Sequence, residues 1–210
     1  VNRRLAEALS LDRLAQRLPR GLRYALAFLV LAGLLAAMIG HRALILRDGA
    51  EVRLAIVPVD PRDLFRGDYV VLTYAIGELR LDRIAGDKQF RRGEPVHVVL
   101  QPDQDGRARA VAALRERPSA PDGVVIRGRV AYVSTTPRRA DDRASCAGDC
   151  PVVGVEYGIE AYFVPEGEGR TIETTEKSRL EIVAAVTRSG DAAIKRLLLD
   201  GRMLYTEPLY

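Results

Sequence analysis

The residues best placed to do chemistry lie in one run, Val57-Pro58-Val59-Asp60-Pro61-Arg62-Asp63-Leu64-Phe65-Arg66-Gly67-Asp68-Tyr69-Val70-Val71-Leu72-Thr73-Tyr74. Asp60, Asp63 and Asp68 fall within nine residues, and carboxylates at that density suit a hard cation or a ligand amine. Arg62 and Arg66 are equally close and neutralise them, so a salt-bridged turn is the stronger reading. Asp60-Pro61 opens that turn, Gly67 offers a positive φ, and Asp68 can bond neighbouring backbone amides. In a strand, Tyr69 and Tyr74 point to opposite faces and cannot form one aromatic platform.

A second group of carboxylates, Glu156, Glu160, Glu166 and Glu168, could supply acid–base chemistry. Their setting, a strand followed by a Gly-rich turn, favours solvent-facing side chains. The segment Pro165-Glu166-Gly167-Glu168-Gly169 could also form a backbone loop that grips a ligand. Cys146-Ala147-Gly148-Asp149-Cys150 sits in a polar stretch. A structural disulfide ranks first there, then free thiols, then a redox pair, which lacks the two-residue spacing of thioredoxin-like motifs. A zinc site would need two further ligands, and His97 is the only His beyond residue 50. His97 alternates with Val96 and Val98 and reads as a hydrogen-bonded sheet histidine. No cofactor or metal is expected.

The elements that must position these residues fit in 210 residues with 48% apolar composition, enough for one ordinary core. The net charge of +4 is unevenly distributed. Residues 1 to 50 carry eight Arg against Glu7, Asp12 and Asp48, and the chain totals of 32 basic and 28 acidic residues leave 24 and 25 for the remainder. That remainder lacks the basic footprint of phosphate binding, so no nucleic-acid partner is expected.

From Tyr24 to Gly40 no residue is charged, and the apolar run resumes from Ala43 to Leu46. At 1.5 Å per residue, 24 to 46 covers about 34 Å, enough for a hydrocarbon core of roughly 30 Å with Arg42 snorkelling at one interface. A core helix of a soluble protein would show a polar face, and this segment is apolar all round. A cleaved signal would have a shorter charged lead and an A-x-A-like site, so an uncleaved anchor is expected. Six Arg precede the span within about twenty residues, which places the N-terminus in the cytoplasm and residues beyond 50 outside. In residues 1–23, Ser10 can cap a short amphipathic helix bearing Leu11, Leu14 and Leu18, with a frayed tail as the alternative.

Beyond the span, segments of strand character recur between turn signals at 51–58, 68–76, 95–101, 107–115, 124–134, 152–164, 179–187 and 192–199. They predict a mainly-β (β-rich α+β) domain of about eight strands over 51–210, behind a single N-terminal transmembrane helix. In 68–76, Val70, Leu72, Tyr74 and Ile76 share one face and both faces are apolar, which predicts a central strand. Residues 135–151 read as an exposed loop and 165–178 as a turn with a short helix.

Gly67, Asp68, Tyr69, Leu72 and Tyr74 match GDYxxLxY, and here the chain resembles a family of uncharacterised membrane-anchored bacterial proteins that bears this signature. The block from Tyr157 to Gly169, with Glu160, Pro165, Glu166 and Gly167, looks like that family's other recurrent segment. The resemblance covers most of 51–205. It implies an extracytoplasmic domain on one span of the inner membrane, often encoded beside multi-spanning proteins, and supplies no biochemical activity. The approach to Gly67-Asp68-Tyr69 also looks like the start of the catalytic domain of type I signal peptidases. Val59 stands where the nucleophilic Ser would be, and Lys88, Lys177 and Lys195 sit in polar surroundings, so a Ser–Lys dyad is not expected. The leading expectation is a non-enzymatic periplasmic binding or accessory module for an integral membrane partner. The alternatives are a metal- or carboxylate-dependent envelope hydrolase and a module binding a small ligand or envelope polymer.

Overall fold

A computed structural model describes residues 19–57, 69–136, 150–163 and 179–206. The chain divides after Arg42 into two units. Asp60, Asp63, Gly67, Asp68, Cys146, Pro165, Glu166 and Gly167 lie outside the described residues, as do the short helix expected after Ser10, most of 135–151 and all of 165–178.

One long helix, α1 (Arg20–Asp48), leads the described chain. Its run of Leu, Ala and Met favours helix throughout, and the Pro19 carbonyl accepts the first amides, from Leu22 at 3.0 Å and Arg23 at 3.2 Å. In the first unit its apolar side chains are exposed, Phe28 by 69% and Met38 by 63%. This helix is long and apolar enough to cross a membrane. Its final turn, from Ala43, belongs to the second unit. There Ile45 and Leu46, read from the sequence as the last residues of the span, are buried in a cluster with Ala185 and Ala193.

The second unit is β-rich. Its strands are β1 (Ala50–Ala55), β2 (Tyr69–Val71), β3 (Glu78–Arg80), β4 (Ala85–Gly86), β5 (Pro95–Pro102) and β6 (Ala108–Leu114). They continue as β7 (Val124–Ser134), β8 (Val152–Glu156), β9 (Ala161–Phe163), β10 (Leu180–Val186), β11 (Ala192–Leu199) and β12 (Arg202–Thr206). Among the described residues these form three sheets, ordered β1-β10-β11-β12, β3-β8-β7-β5-β6-β4 and β2-β9. The pairing is antiparallel except between β4 and β6. Single bridges, Arg53 to Arg107 and Ile56 to Tyr74, tie β1 to the segments beside the other two sheets.

The long apolar helix near the N-terminus and the β-rich domain read from the sequence are both present. All eight expected strand segments carry strand, and β3, β4 and β12 add to them. Two expected strands are interrupted. The 68–76 segment is not one continuous strand: β2 ends at Val71, pairs among the described residues with β9, and gives way to a 3-10 turn over Ala75–Gly77. The 152–164 segment breaks at 157–160, where Gly158 has φ +78°.

Alternation supplies the core. Val52 and Leu54 of β1, Leu180, Ile182, Ala184 and Val186 of β10, and Ile194 and Leu197 of β11 join Val96, Val98, Ile126 and Val155 in one buried cluster. These are inner-face positions of strands whose period is two. Strand β10 is buried at all seven positions, because its other face is covered too.

Gly49 joins α1 to β1 with no residue to spare. Its amide donates to the Ile45 carbonyl at 3.0 Å. A Cβ there would meet that oxygen at 2.6 Å, the Ala185 Cβ at 2.9 Å and the Val186 nitrogen at 2.9 Å. Gly49→Ala is expected to lower the stability of the β-rich unit by about 1–3 kcal/mol through this crowding. Gly33→Ala, with nothing within 4 Å, should leave it unchanged. Thermal unfolding of the two full-length variants in detergent, followed by circular dichroism, checks the contrast.

Candidate functional site

Of the signature residues, Tyr69 lies in β2 opposite Phe163 of β9, and Leu72 and Tyr74 are described with their surroundings. Leu72 and Tyr74 are core residues, 3% and 2% exposed. The Leu72 amide donates to the Glu160 carbonyl at 2.7 Å, extending the β2–β9 ladder by one rung. The Tyr74 hydroxyl donates to the Ile159 carbonyl. In return the Tyr157 hydroxyl donates to the Ile76 carbonyl at 2.7 Å. Two segments far apart in sequence thus exchange phenol–carbonyl hydrogen bonds across the core.

Glu160 shapes the turn that makes this exchange possible. Its carboxylate accepts the amides of Tyr157 at 2.5 Å and Gly158 at 2.9 Å, so it caps the break between β8 and β9. Burial, with the Glu160 charge adding to it, pushes both phenols well above the ordinary tyrosine range. They stay protonated and act as donors. The chemistry of this region is that of a closed structural clasp.

A different region offers room for a ligand. A cleft of about 530 Å³ lies where β1, β10 and β11 meet the β5–β6 hairpin and the turn before β7, a size within the range of small-molecule sites. Val52, Leu100, Val124, Val183 and Leu198 line it, with Glu51, Arg53, Gln101 and Arg196 as its main polar groups. Glu51 is held by Lys195 at 3.0 Å and by Arg196. Both cations reach it because the pairing of β10 with β11 slips there: Val183 pairs with Arg196 and Ala184 with Ile194, which leaves Lys195 as the extra residue of a bulge. The hydrogen bond from Lys195 outweighs desolvation and, with Arg196, holds the Glu51 carboxyl below its usual range.

Beside the cleft, Glu181 is 4% exposed and bridges two sheets. It accepts from Arg53 Nη2 at 2.6 Å on β1 and from Arg107 Nε at 2.7 Å, at the start of the β6 side. Burial alone would raise its pKa, but the hydrogen bonds from both guanidinium groups reverse the sign, and it lies below the ordinary glutamate range. Glu51 and Glu181 are therefore carboxylates near neutral pH. Both are held in ion pairs with neighbouring cations.

The remaining sequence candidates resolve simply. Cys150 is disulfide-bonded and buried, and its Sγ accepts from Arg80 Nη2 at 3.3 Å. Arg80, itself 7% exposed, also holds Asp82. His97 Nδ1 lies 3.1 Å from the Arg115 carbonyl, the sheet histidine expected. Lys88 donates to the Leu81 carbonyl at 2.5 Å and to Ile84. Sequence reasoning missed the Glu181 cluster and the Glu51 pair. The available signal was one carboxylate in Leu180-Glu181-Ile182-Val183-Ala184-Ala185-Val186, since a charge inside a fully apolar strand must be paired to be buried.

These features define a class: a β-rich domain tied together by buried hydrogen-bonded side chains and led by one long apolar helix. The chain belongs to the GDYXXLXY protein family, whose model matches residues 31–197, from within α1 to within β11. No curated protein and no solved structure matches it.

Two variants test the clasp and the bridge. Tyr74→Phe leaves the Ile159 carbonyl without its buried donor and should cost about 1–3 kcal/mol. Tyr157→Phe should cost a similar amount, and the double variant should be non-additive because both serve one packed region. Glu181→Gln should cost roughly 1–3 kcal/mol, less than a fully buried pair because both arginines are partly exposed. Since the folded pKa of Glu181 is depressed, its contribution is present above the unfolded value of about 4.3 and lost as pH falls through the folded one. Urea unfolding from pH 7 to pH 3 should therefore show a steeper acid loss in the parent than in Glu181→Gln.

Proposed function

We propose that this protein is a single-pass membrane-anchored module, N-terminus in the cytoplasm, whose β-rich unit on the opposite side of the inner membrane binds an integral membrane partner without catalysing a reaction. The observation that carries the anchor is the exposure of apolar side chains along α1 from Leu22 to Leu44, each large one at least half exposed. In water that surface is costly, and in lipid it is the expected one. The arginines ahead of the span support the orientation. Anchoring confines the β-rich unit to two dimensions and raises its effective concentration toward any membrane partner, so modest contacts suffice. The non-enzymatic reading is supported by the use of the described signature residues: Leu72 packs, Tyr74 donates to a buried carbonyl, and Glu160 caps a turn.

The partner surface supported best is the outer edge of the four-stranded sheet. Strand β12 is the last in its order, and Met203 and Leu204 on it are 66% and 42% exposed. An edge with no partner strand among the described residues and with apolar side chains is a template for another chain.

A phosphatase or fluorescent reporter fused after Tyr210 reports the side on which the β-rich unit lies, and the extracytoplasmic signal is expected. Cross-linking in intact membranes, followed by purification in detergent, should recover an integral membrane protein, with recovery reduced by Met203→Asp. A cytoplasmic reporter signal would overturn the topology, and recovery of no specific membrane protein would overturn the partner reading.

A further inference from the structure

We propose that the β10–β11 turn rests on the lipid headgroup layer, with Arg47 and Arg188 touching phospholipid headgroups. The inference rests on the reading of α1 as a membrane span and adds which end of the β-rich unit the membrane meets. Helix α1 ends at Asp48 and β1 begins at Ala50, so Gly49 is the only residue between them. Leu44 is 58% exposed, while Ile45 and Leu46 are buried against Ala185 and Ala193. Along the chain, the exposed apolar side chains therefore run to Leu44, and packing on the sheet begins at Ile45. A span of this kind ends at the headgroup region.

The register fixes which end of the sheet is concerned. Ala50 pairs with Val186 and Val186 with Ala192, so the chain enters the sheet at the end that carries residues 187–191. Seven steps along β11, about 23 Å at 3.3 Å per residue, lie between that end and the β11–β12 turn. Arg47 and Arg188 are exposed at the near end. Of the acidic groups there, Asp191 is engaged by Arg127 at 2.6 Å and by Ser189 at 2.8 Å, and Asp48 lies 3.8 Å from Arg47. Exposed guanidinium groups at the membrane boundary are suited to phosphate oxygens.

The test uses the full chain with one added thiol at a time, Arg188→Cys, Arg47→Cys or, at the far end, Arg202→Cys. Each is labelled with a fluorophore without reductant, so that the disulfide at Cys150 stays closed. Each variant is reconstituted into phosphatidylcholine–phosphatidylglycerol vesicles containing a lipid with a spin-labelled headgroup. The expected result is a large loss of fluorescence at positions 188 and 47 and a small one at 202. Equal losses at 188 and 202, or a larger loss at 202, would overturn the placement while leaving the anchor intact. Failure of the protein to float with the vesicles would remove the anchor itself and the placement with it.

Discussion

Strand β10 must be buried on both faces, and most of the β-rich unit answers that requirement. One face supplies Leu180, Ile182, Ala184 and Val186 to the core. The other carries Glu181, Val183 and Ala185, which alternation alone would leave in water. Ala185 is covered by the last turn of α1 through Ile45 and Leu46. Glu181 is covered by Arg53 and Arg107, which neutralise it from two different sheets. The strand is therefore a meeting point for an apolar cover at one end and an ionic one at the other. The small side chains of Ala185 and Ala193 let the helix approach, and Gly49 lets the chain turn into β1 without a clash.

The second constraint is the satisfaction of buried polar groups where regular pairing fails. After Val71 the chain leaves its strand for a 3-10 turn, and after Glu156 it breaks before resuming at Ala161. Both breaks leave carbonyls, at Ile76 and Ile159, inside the core. Two tyrosines from the opposite break supply the missing donors. In this light the described part of the signature that gives the family its name is a piece of architecture. Its last tyrosine serves the core, and its leucine continues a ladder. A buried phenol that donates to a carbonyl cannot be replaced by phenylalanine without leaving that carbonyl unpaired.

The charges around the cleft are locked in pairs, and the two carboxylates that could have served as proton carriers are kept ionised by neighbouring cations. Among the described residues, large apolar side chains are exposed along α1 and on the edge strand β12. The function proposed above assigns lipid to the first and a partner chain to the second.

The one-dimensional pattern was sufficient for the helix, for strand character in all eight segments and for the sheet histidine, because periodicity is a local property. It was also sufficient for the family, since five signature residues stand in order from Gly67 to Tyr74. It misjudged the 68–76 segment, whose alternation continues through Tyr74 and Ile76 although the ladder stops at Val71; burial by packing looks the same in sequence as burial by pairing. Leu46 reads as one more apolar residue of a span, and only the sheet beneath it makes it part of the β-rich unit. The partners of Glu181, Glu51, Tyr74 and Tyr157 were likewise decided by tertiary structure alone. A buried donor or charge declares that it needs a partner, but the partner's identity depends on which distant strands the fold brings within 3 Å, a distance typical of a hydrogen bond.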